Sequence, residues 1–126
     1  MITEDFVSFE TAKLLKEKGF DETVRCFYDI QTEIFCDNCV KTKNSYTESI
    51  AAPTLQMAMK WLREVHHIAI SVCIFNRDVP LKEDNIIYTC DIATANMSSK
   101  EGHLRLAGPY EEVCEAAIKY CLENLI

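Results

Sequence analysis

The chain has 126 residues, 48% of them hydrophobic and 26% charged, which is the balance of an ordinary folded protein and excludes the disordered and fibrous classes. This length fits one domain, residues 1–126, that can bury a core without metals or disulfides. The formal net charge of −7, from 20 acidic and 13 basic side chains, opposes binding to phosphate backbones and argues against a nucleic-acid partner.

The first predicted element is a helix between Ser8 and Gly19. Ser8 can cap the first turn, and Gly19 can adopt the left-handed conformation that ends many helices. Ala12 and Leu15 supply the buried stripe. We therefore expect Phe20, the residue after the glycine, to pack on Leu15.

Residues 24–30 predict a strand, because one of its faces is formed by Val24, Cys26, Tyr28 and Ile30. The pattern weakens over residues 31–49. A second strand is possible around residues 34–40, followed by a polar turn at residues 43–45.

A second helix is predicted after Pro53, with Thr54 as its cap. It is expected to end near His66 and His67, whose side chains suit the exposed carbonyl groups of a helix C-terminus. Its apolar residues recur at offsets of three and four and form one stripe: Leu55, Ala58, Met59, Trp61, Leu62 and Val65.

Two further strands are predicted to pair as an antiparallel hairpin. Residues 68–75 are apolar on both faces, which is typical of a central strand, and residues 86–93 alternate. The polar connection over residues 76–85 is longer than a tight hairpin requires. Leu104 and Leu106 predict a short last strand.

The closing helix has the strongest pattern. Pro109 fits its first position, and Glu111 and Glu112 suit the positive end of the helix dipole. Glu115 and Lys119 are predicted to pair across one turn on the solvent side. The apolar stripe holds for four turns and comprises Tyr110, Val113, Cys114, Ala117, Ile118, Cys121, Leu122 and Leu125.

These elements predict an α+β fold in the order helix, one or two strands, helix, two or three strands, helix. Amphipathic helices need an apolar surface to cover. We therefore expect an antiparallel or mixed sheet of three to five strands with three helices packed mainly on one face.

Targeting and redox features predict a cytoplasmic protein without a membrane partner. Residues 1–9 include Glu4 and Asp5 and no basic cluster, so we expect no secretory signal. The longest nearly apolar stretch, residues 68–75, is far shorter than the about 20 residues that a membrane-spanning helix needs. The 7 cysteines lie mainly within apolar patterns, which favours reduced thiols over a secreted disulfide framework.

Two segments carry a resemblance to a known family: VSFETAKLLKEKGFD at residues 7–21 and KNSYTESIAAPTLQMAMKWLREVHHIAI at residues 43–70. They resemble small uncharacterised proteins found in prophages and mobile elements of intestinal bacteria, and APTLQMAMKWLREVH is the most specific part. That family has no assigned activity, cofactor or catalytic residue. The resemblance therefore implies a mobile-element setting and no mechanism.

Cys36 and Cys39 form a C-x-x-C pair, the spacing at which two thiolates can hold a zinc ion or close a redox disulfide. A structural zinc needs four ligands, so Cys26 with His66 or His67 would have to complete the set through the fold. No second pair of this kind occurs in the sequence. Ordinary reduced cysteines, with no metal and no cofactor, are the favoured interpretation.

No catalytic set stands out in the sequence. His66 and His67 are adjacent and point about 100° apart on a helix, so they do not form a metalloprotease pair. One of them could activate a thiol at Cys73 or Cys114 if the fold brings them together. The 3 glycines have no nucleotide-binding spacing. Adjacent acidic residues indicate solvated surface rather than acid–base chemistry, at Glu4 and Asp5, Asp21 and Glu22, and Glu111 and Glu112.

The lack of a convergent catalytic set favours a non-enzymatic accessory or interaction module of phage or mobile-element origin, acting on a protein partner or as a homodimer. The alternative is a small ligand-binding protein or thiol-dependent enzyme with a site between the sheet and loops 31–49 and 76–85. Met57, Trp61 and Tyr46 could line a partner groove, although core packing is the favoured use of these side chains.

Overall fold

A computed structural model describes residues 2–37, 43–44, 48–75, 86–95 and 103–126. Within these ranges the chain forms three helices: α1 (Phe9–Glu17), α2 (Leu55–His66) and α3 (Tyr110–Asn124). The strands of the same ranges are β1 (Phe27–Asp29), β2 (Phe35–Cys36), β3 (Ser49–Ala51), β4 (Ile68–Ile74), β5 (Tyr88–Thr94) and β6 (His103–Gly108). The α+β class expected from the sequence is confirmed.

The first helix begins and ends at the residues that the sequence predicts. The Ser8 hydroxyl accepts a backbone N–H of the first turn, and Gly19 has a φ of 93°. The N–H of Phe20 donates to the carbonyl of Leu15 at 2.9 Å, and the N–H of Gly19 donates to the carbonyl of Lys16 at 3.2 Å. These two bonds form a Schellman stop. Phe20 and Leu15 are both fully buried, so the stop also places its apolar contact in the core.

The first sheet has the order β2-β1-β3, with antiparallel pairing throughout. Its central strand is shorter than the predicted residues 24–30, because the Asp29 carboxylate accepts two backbone N–H groups of the next turn at 2.9 and 3.0 Å. This turn leaves Ile30 exposed, away from the predicted buried face. The strand expected around residues 34–40 is regular in β2 only, and residues 38–40 lie outside the described residues.

Asn44 connects the first sheet to the end of α1. Its side-chain amide donates to the Phe20 carbonyl at 2.8 Å, and its Oδ1 accepts the N–H of Ala51 at 2.7 Å. The sequence predicts only a polar turn at residues 43–45. Lys43 and Asn44 of this turn are described, whereas Ser45 lies outside the described residues. The turn residue therefore satisfies a buried backbone group of β3.

The second sheet has the order β4-β5-β6 and is also antiparallel. The predicted hairpin is confirmed, since Ile68 pairs with Thr94 and Ile74 with Tyr88, while its connection over residues 76–85 lies outside the described residues. The prediction that β4 lies centrally is wrong, because β5 is the central strand and β4 an edge strand in the sheet that the described residues form. The apolar residues of β4 lie on both faces of the sheet, one packed by helices and the other open.

The strands belong to two sheets rather than to one, since the three short strands before α2 pair among themselves. α2 packs on β4, and α3 packs on all three strands of the second sheet and on α1. Ile68 and Ile92 are buried on the helix-facing side, whereas Ala69 and Ala93 on the other side are exposed. The second sheet therefore carries α2 and α3 on one face, whereas α1 packs on α3 and on β3 of the first sheet.

The structure corrects three predictions about helix side chains: the burial of Val65, the burial of Leu125 and the pairing of Glu115 with Lys119. Val65 and Leu125 are exposed, because each lies in the last turn of its helix or just beyond it. Lys119 does not pair with Glu115. Instead its ammonium lies 2.9 Å from the Glu10 carboxylate, and the Glu115 carboxylate accepts the N–H of Ser8 at 2.9 Å. Both contacts join α3 to α1.

Candidate functional site

β4 has a free edge within the part of the chain that the structure describes. The N–H of Phe75 donates to the carbonyl of Ile87 at 2.7 Å, which identifies these two residues as a hydrogen-bonded pair. Such pairs recur at every second residue of an antiparallel ladder, so the odd-numbered residues of β4 bond to β5. The backbone groups of the even-numbered residues Ile70, Val72 and Ile74 point away from β5.

The sequence of this edge strand is entirely uncharged. β4 has seven residues, IAISVCI, without proline. Natural proteins usually protect sheet edges with charges, proline, bulges or very short strands. β4 contains no charge or proline and is longer than a typical strand of five or six residues. It is therefore a suitable template for a further strand.

A groove of about 320 Å³ lies beside this edge, between α2 and the helix-facing side of β4. Among the side chains that the structure describes, none from β5 or β6 lines this groove, so it lies at the margin of the sheet. Gln56 and Tyr110 meet at the groove, where the Gln56 amide donates to the Tyr110 hydroxyl at 3.0 Å. The full lining, which we call the α2–β4 groove, is Gln56, Met59, Lys60, Arg63, Ile70, Val72 and Tyr110.

Two cationic side chains lie in the wall of the α2–β4 groove. Lys60 and Arg63 are exposed and separated by three positions, which places them on one side of α2. Among the described residues, none of those that line the groove is acidic. Among the described residues neither cation forms an ion pair. A protein with a net charge of −7 thus presents a local positive surface beside its open edge.

The other face of the β4–β5 hairpin is open as well. Phe75 is 67% exposed and its neighbour Ile87 is 39% exposed. Ala69 and Ala93, which are paired farther along the ladder, are also exposed. A strand added at the β4 edge would therefore have mainly apolar neighbours on this face, with the exposed Ser71 among them, and the cationic groove on the opposite face.

A second concave site, of about 340 Å³, lies where the first sheet meets the start of α2. Its lining includes Phe6, Val24 and Met57, together with the thiol of Cys26. That thiol donates to the Asp37 carboxylate at 3.3 Å. A carboxylate partner differs from the cationic neighbour that activates a cysteine nucleophile. The volume falls in the range of small-ligand sites.

The predicted C-x-x-C pair is only half described. Cys36 is half-buried on β2, and Cys39 lies outside the described residues. The residues that the structure describes contain no cluster of three or more His, Cys, Asp or Glu side chains suited to a metal ion. In particular, Cys26 contacts Asp37 and is not part of a described ligand set with either histidine.

His66 and His67 end α2, as the sequence predicts. His67 has a φ of 57° and caps the helix, with its N–H donating to the Leu62 carbonyl. The ring of His66 lies 4.7 Å from the ring of Trp61, edge to face. Its Nε2 is buried and has no hydrogen-bond partner within the described chain, so it is not bonded to a thiol.

The core cysteines are packing residues in this structure. Burial raises the pKa of the Cys114 thiol, and burial raises that of Cys121 to about 12. Cys73 is half-buried, and its Sγ lies 3.6 Å from the Ser71 hydroxyl. The buried Nε2 of His66 has no hydrogen-bond partner among the described residues, so neither Cys73 nor Cys114 forms a thiol–imidazole pair with it.

The remaining candidates are surface or core residues. Trp61 is only 5% exposed and packs edge to face on Phe20 at 5.4 Å, which agrees with the core interpretation. Met57 is exposed, and Tyr46 lies outside the described residues. The acidic neighbours are all exposed: Glu4 and Asp5, Asp21 and Glu22, Glu111 and Glu112.

Comparison of the chain with protein-family models, with curated proteins and with solved structures finds no match in any of the three. No helix in the described ranges has the length and apolar character to cross a membrane. The features that bear on function are the geometry and chemistry of the β4 edge and of the groove beside it.

Proposed function

We propose that this protein is a non-enzymatic interaction module that binds another polypeptide as an added strand along β4. The observation that carries the proposal is the open edge of a seven-residue, uncharged strand. An unpaired row of N–H and C=O groups is a ready template for strand pairing. The phage or mobile-element setting implied by the sequence resemblance is part of this proposal.

The neighbourhood of β4 supports recognition as well as pairing. In strand addition the main chain supplies hydrogen bonds, and the side chains that alternate along the added strand supply specificity. Here one set of alternating side chains would enter the α2–β4 groove, and the other would lie beside Phe75. Both faces of an added strand therefore have neighbours to contact.

The state of the thiols supports a binding role over thiol chemistry. Burial raises the pKa of Cys90, Cys114 and Cys121, which keeps these side chains protonated in the core. Cys26 donates to a carboxylate. A catalytic cysteine instead needs a lowered pKa and a cationic neighbour.

The test uses a phage-displayed library of random peptides selected against the wild-type protein. We expect enriched peptides to slow the exchange of the Ile70 and Val72 amide protons and to lose binding to a Val72→Pro variant. Proline removes the outward N–H at position 72 without removing a bond to β5, so the hairpin remains paired. Amide dispersion in NMR spectra verifies that the variant is folded.

Val72→Ala is the matched control, because it shortens the same side chain and keeps the N–H. We expect it to retain most of the binding that the proline variant loses. Undiminished binding to Val72→Pro, or a library that yields no peptide protecting these amides, would contradict strand addition at β4.

A further inference from the structure

We infer that the strand bound at β4 is an acidic segment of a different protein and not a second copy of this chain. The inference rests on the proposed strand addition and names the partner of that same site. It follows from the charges in the wall of the α2–β4 groove and from the composition of β4 itself.

The groove selects for negative charge. Lys60 and Arg63 are exposed in its wall, no acidic residue lines it, and neither cation has an ion-pair partner among the described residues. Every second side chain of an added strand would point to this wall. Glutamate or aspartate at those positions would be paired, whereas lysine or arginine would be repelled.

A second copy does not supply the complementary charge. In a two-fold dimer the β4 strands would pair with each other, and β4 contains no acidic residue to meet the cations. The same symmetry would bring the cationic sides of the two α2 helices towards each other. Repulsion between the Lys60 and Arg63 side chains of the two copies would oppose this dimer. The groove therefore disfavours self-pairing while leaving the edge open.

The protein's overall charge does not reverse this preference at physiological salt. The net charge of −7 is spread over the chain, and charges are screened beyond about 8 Å at physiological ionic strength. An acidic strand in contact with Lys60 and Arg63 would therefore respond mainly to these two side chains. Raising the salt concentration should weaken the preference.

The experiment compares two synthetic peptides as long as β4, one alternating valine with glutamate and the other alternating valine with lysine. Binding to the full chain is followed by NMR through the amide signals of Ile70 and Val72. We expect the glutamate peptide to bind about tenfold more tightly than the lysine peptide. Lys60→Glu combined with Arg63→Glu should reverse this order.

Lys13→Glu combined with Arg25→Glu is the matched control, because it changes the net charge equally at exposed positions outside the groove. This control should keep the glutamate preference. Equal binding of both peptides at β4 would overturn the acidic partner and leave strand addition standing. Binding of neither peptide to the β4 edge would overturn both. A dimer in sedimentation that protects the same amides would identify the second copy as the occupant and overturn the inference.

Discussion

The two sheets of this protein differ in how their strands are held. The first sheet has strands of two or three residues. Side-chain hydrogen bonds join it to adjacent segments: the Asn44 amide donates to the Phe20 carbonyl, and the Tyr28 hydroxyl donates to the Val7 carbonyl at 2.7 Å. β3 is completely buried. The second sheet has strands of six or seven residues and, among the described residues, leaves the β4 edge and one face open.

The difference shows how one fold can separate stability from recognition. Strands of two or three residues form too few ladder bonds to hold by themselves, so the first sheet depends on its surroundings. β4 pairs with β5 over its whole length, and α2 and α3 pack on its helix-facing side, so β4 is held in place without a strand at its other edge. Its other edge is therefore available without loss of the fold.

The largest predicted effect concerns α3, which packs on the second sheet and on α1 and so joins the two regions. Ile118→Asp places an unpaired charge at a fully buried position and should lower the free energy of unfolding by at least about 3–5 kcal/mol. Urea titration followed by circular dichroism measures the loss. Glu123→Gln at an exposed position of the same helix should change little, and equal stability of both variants would remove α3 from the core.

The second prediction concerns pH, again in α3. Burial raises the pKa of Cys121 from 9.0 to about 12, so the unfolded chain loses this proton first as the pH rises. The free energy of unfolding should therefore fall by about 1.4 kcal/mol per pH unit between these two values.

Cys121→Ala isolates this contribution, because alanine does not ionise. Wild type and variant should approach each other in stability as the pH is raised from 8 to 11 in urea titrations. A constant difference across that range would mean that the thiol titrates normally and is not in the core.

The third prediction tests the first sheet alone. Asn44→Ala leaves the buried N–H of Ala51 and the carbonyl of Phe20 without their partner, which should cost about 1–3 kcal/mol. Thermal unfolding measures the change, and Lys43→Ala serves as the neighbouring control. If peptide binding at β4 survives in the folded variant, recognition is independent of the first sheet. Loss of binding would contradict the separation of stability in the first sheet from recognition at β4.

Local signals allowed the helices to be predicted closely. Ser8, Gly19 and Thr54 act on backbone groups within a few residues, and each has the predicted role. Val65 continues the apolar period of α2 but lies past the point where neighbouring elements cover the helix. Periodicity does not report where a core ends.

The candidate site depended on non-local information. An apolar run such as β4 is typical of a central strand. The structure shows that it is an edge strand, because β5 is its one neighbour among the described strands. Lys60 and Arg63 stand three positions apart, but this spacing occurs on most solvated helices. Their significance comes from the neighbouring strand, which the sequence pattern does not place.

The most direct test of the free edge is hydrogen exchange of the β4 amides by NMR in the unbound protein at low concentration. The amides of Ser71 and Cys73 bond to β5 and should exchange at least about tenfold more slowly than those of Ile70 and Val72, which point away from it. Equal protection of all four amides would show that the edge is already covered and would contradict the proposed binding role.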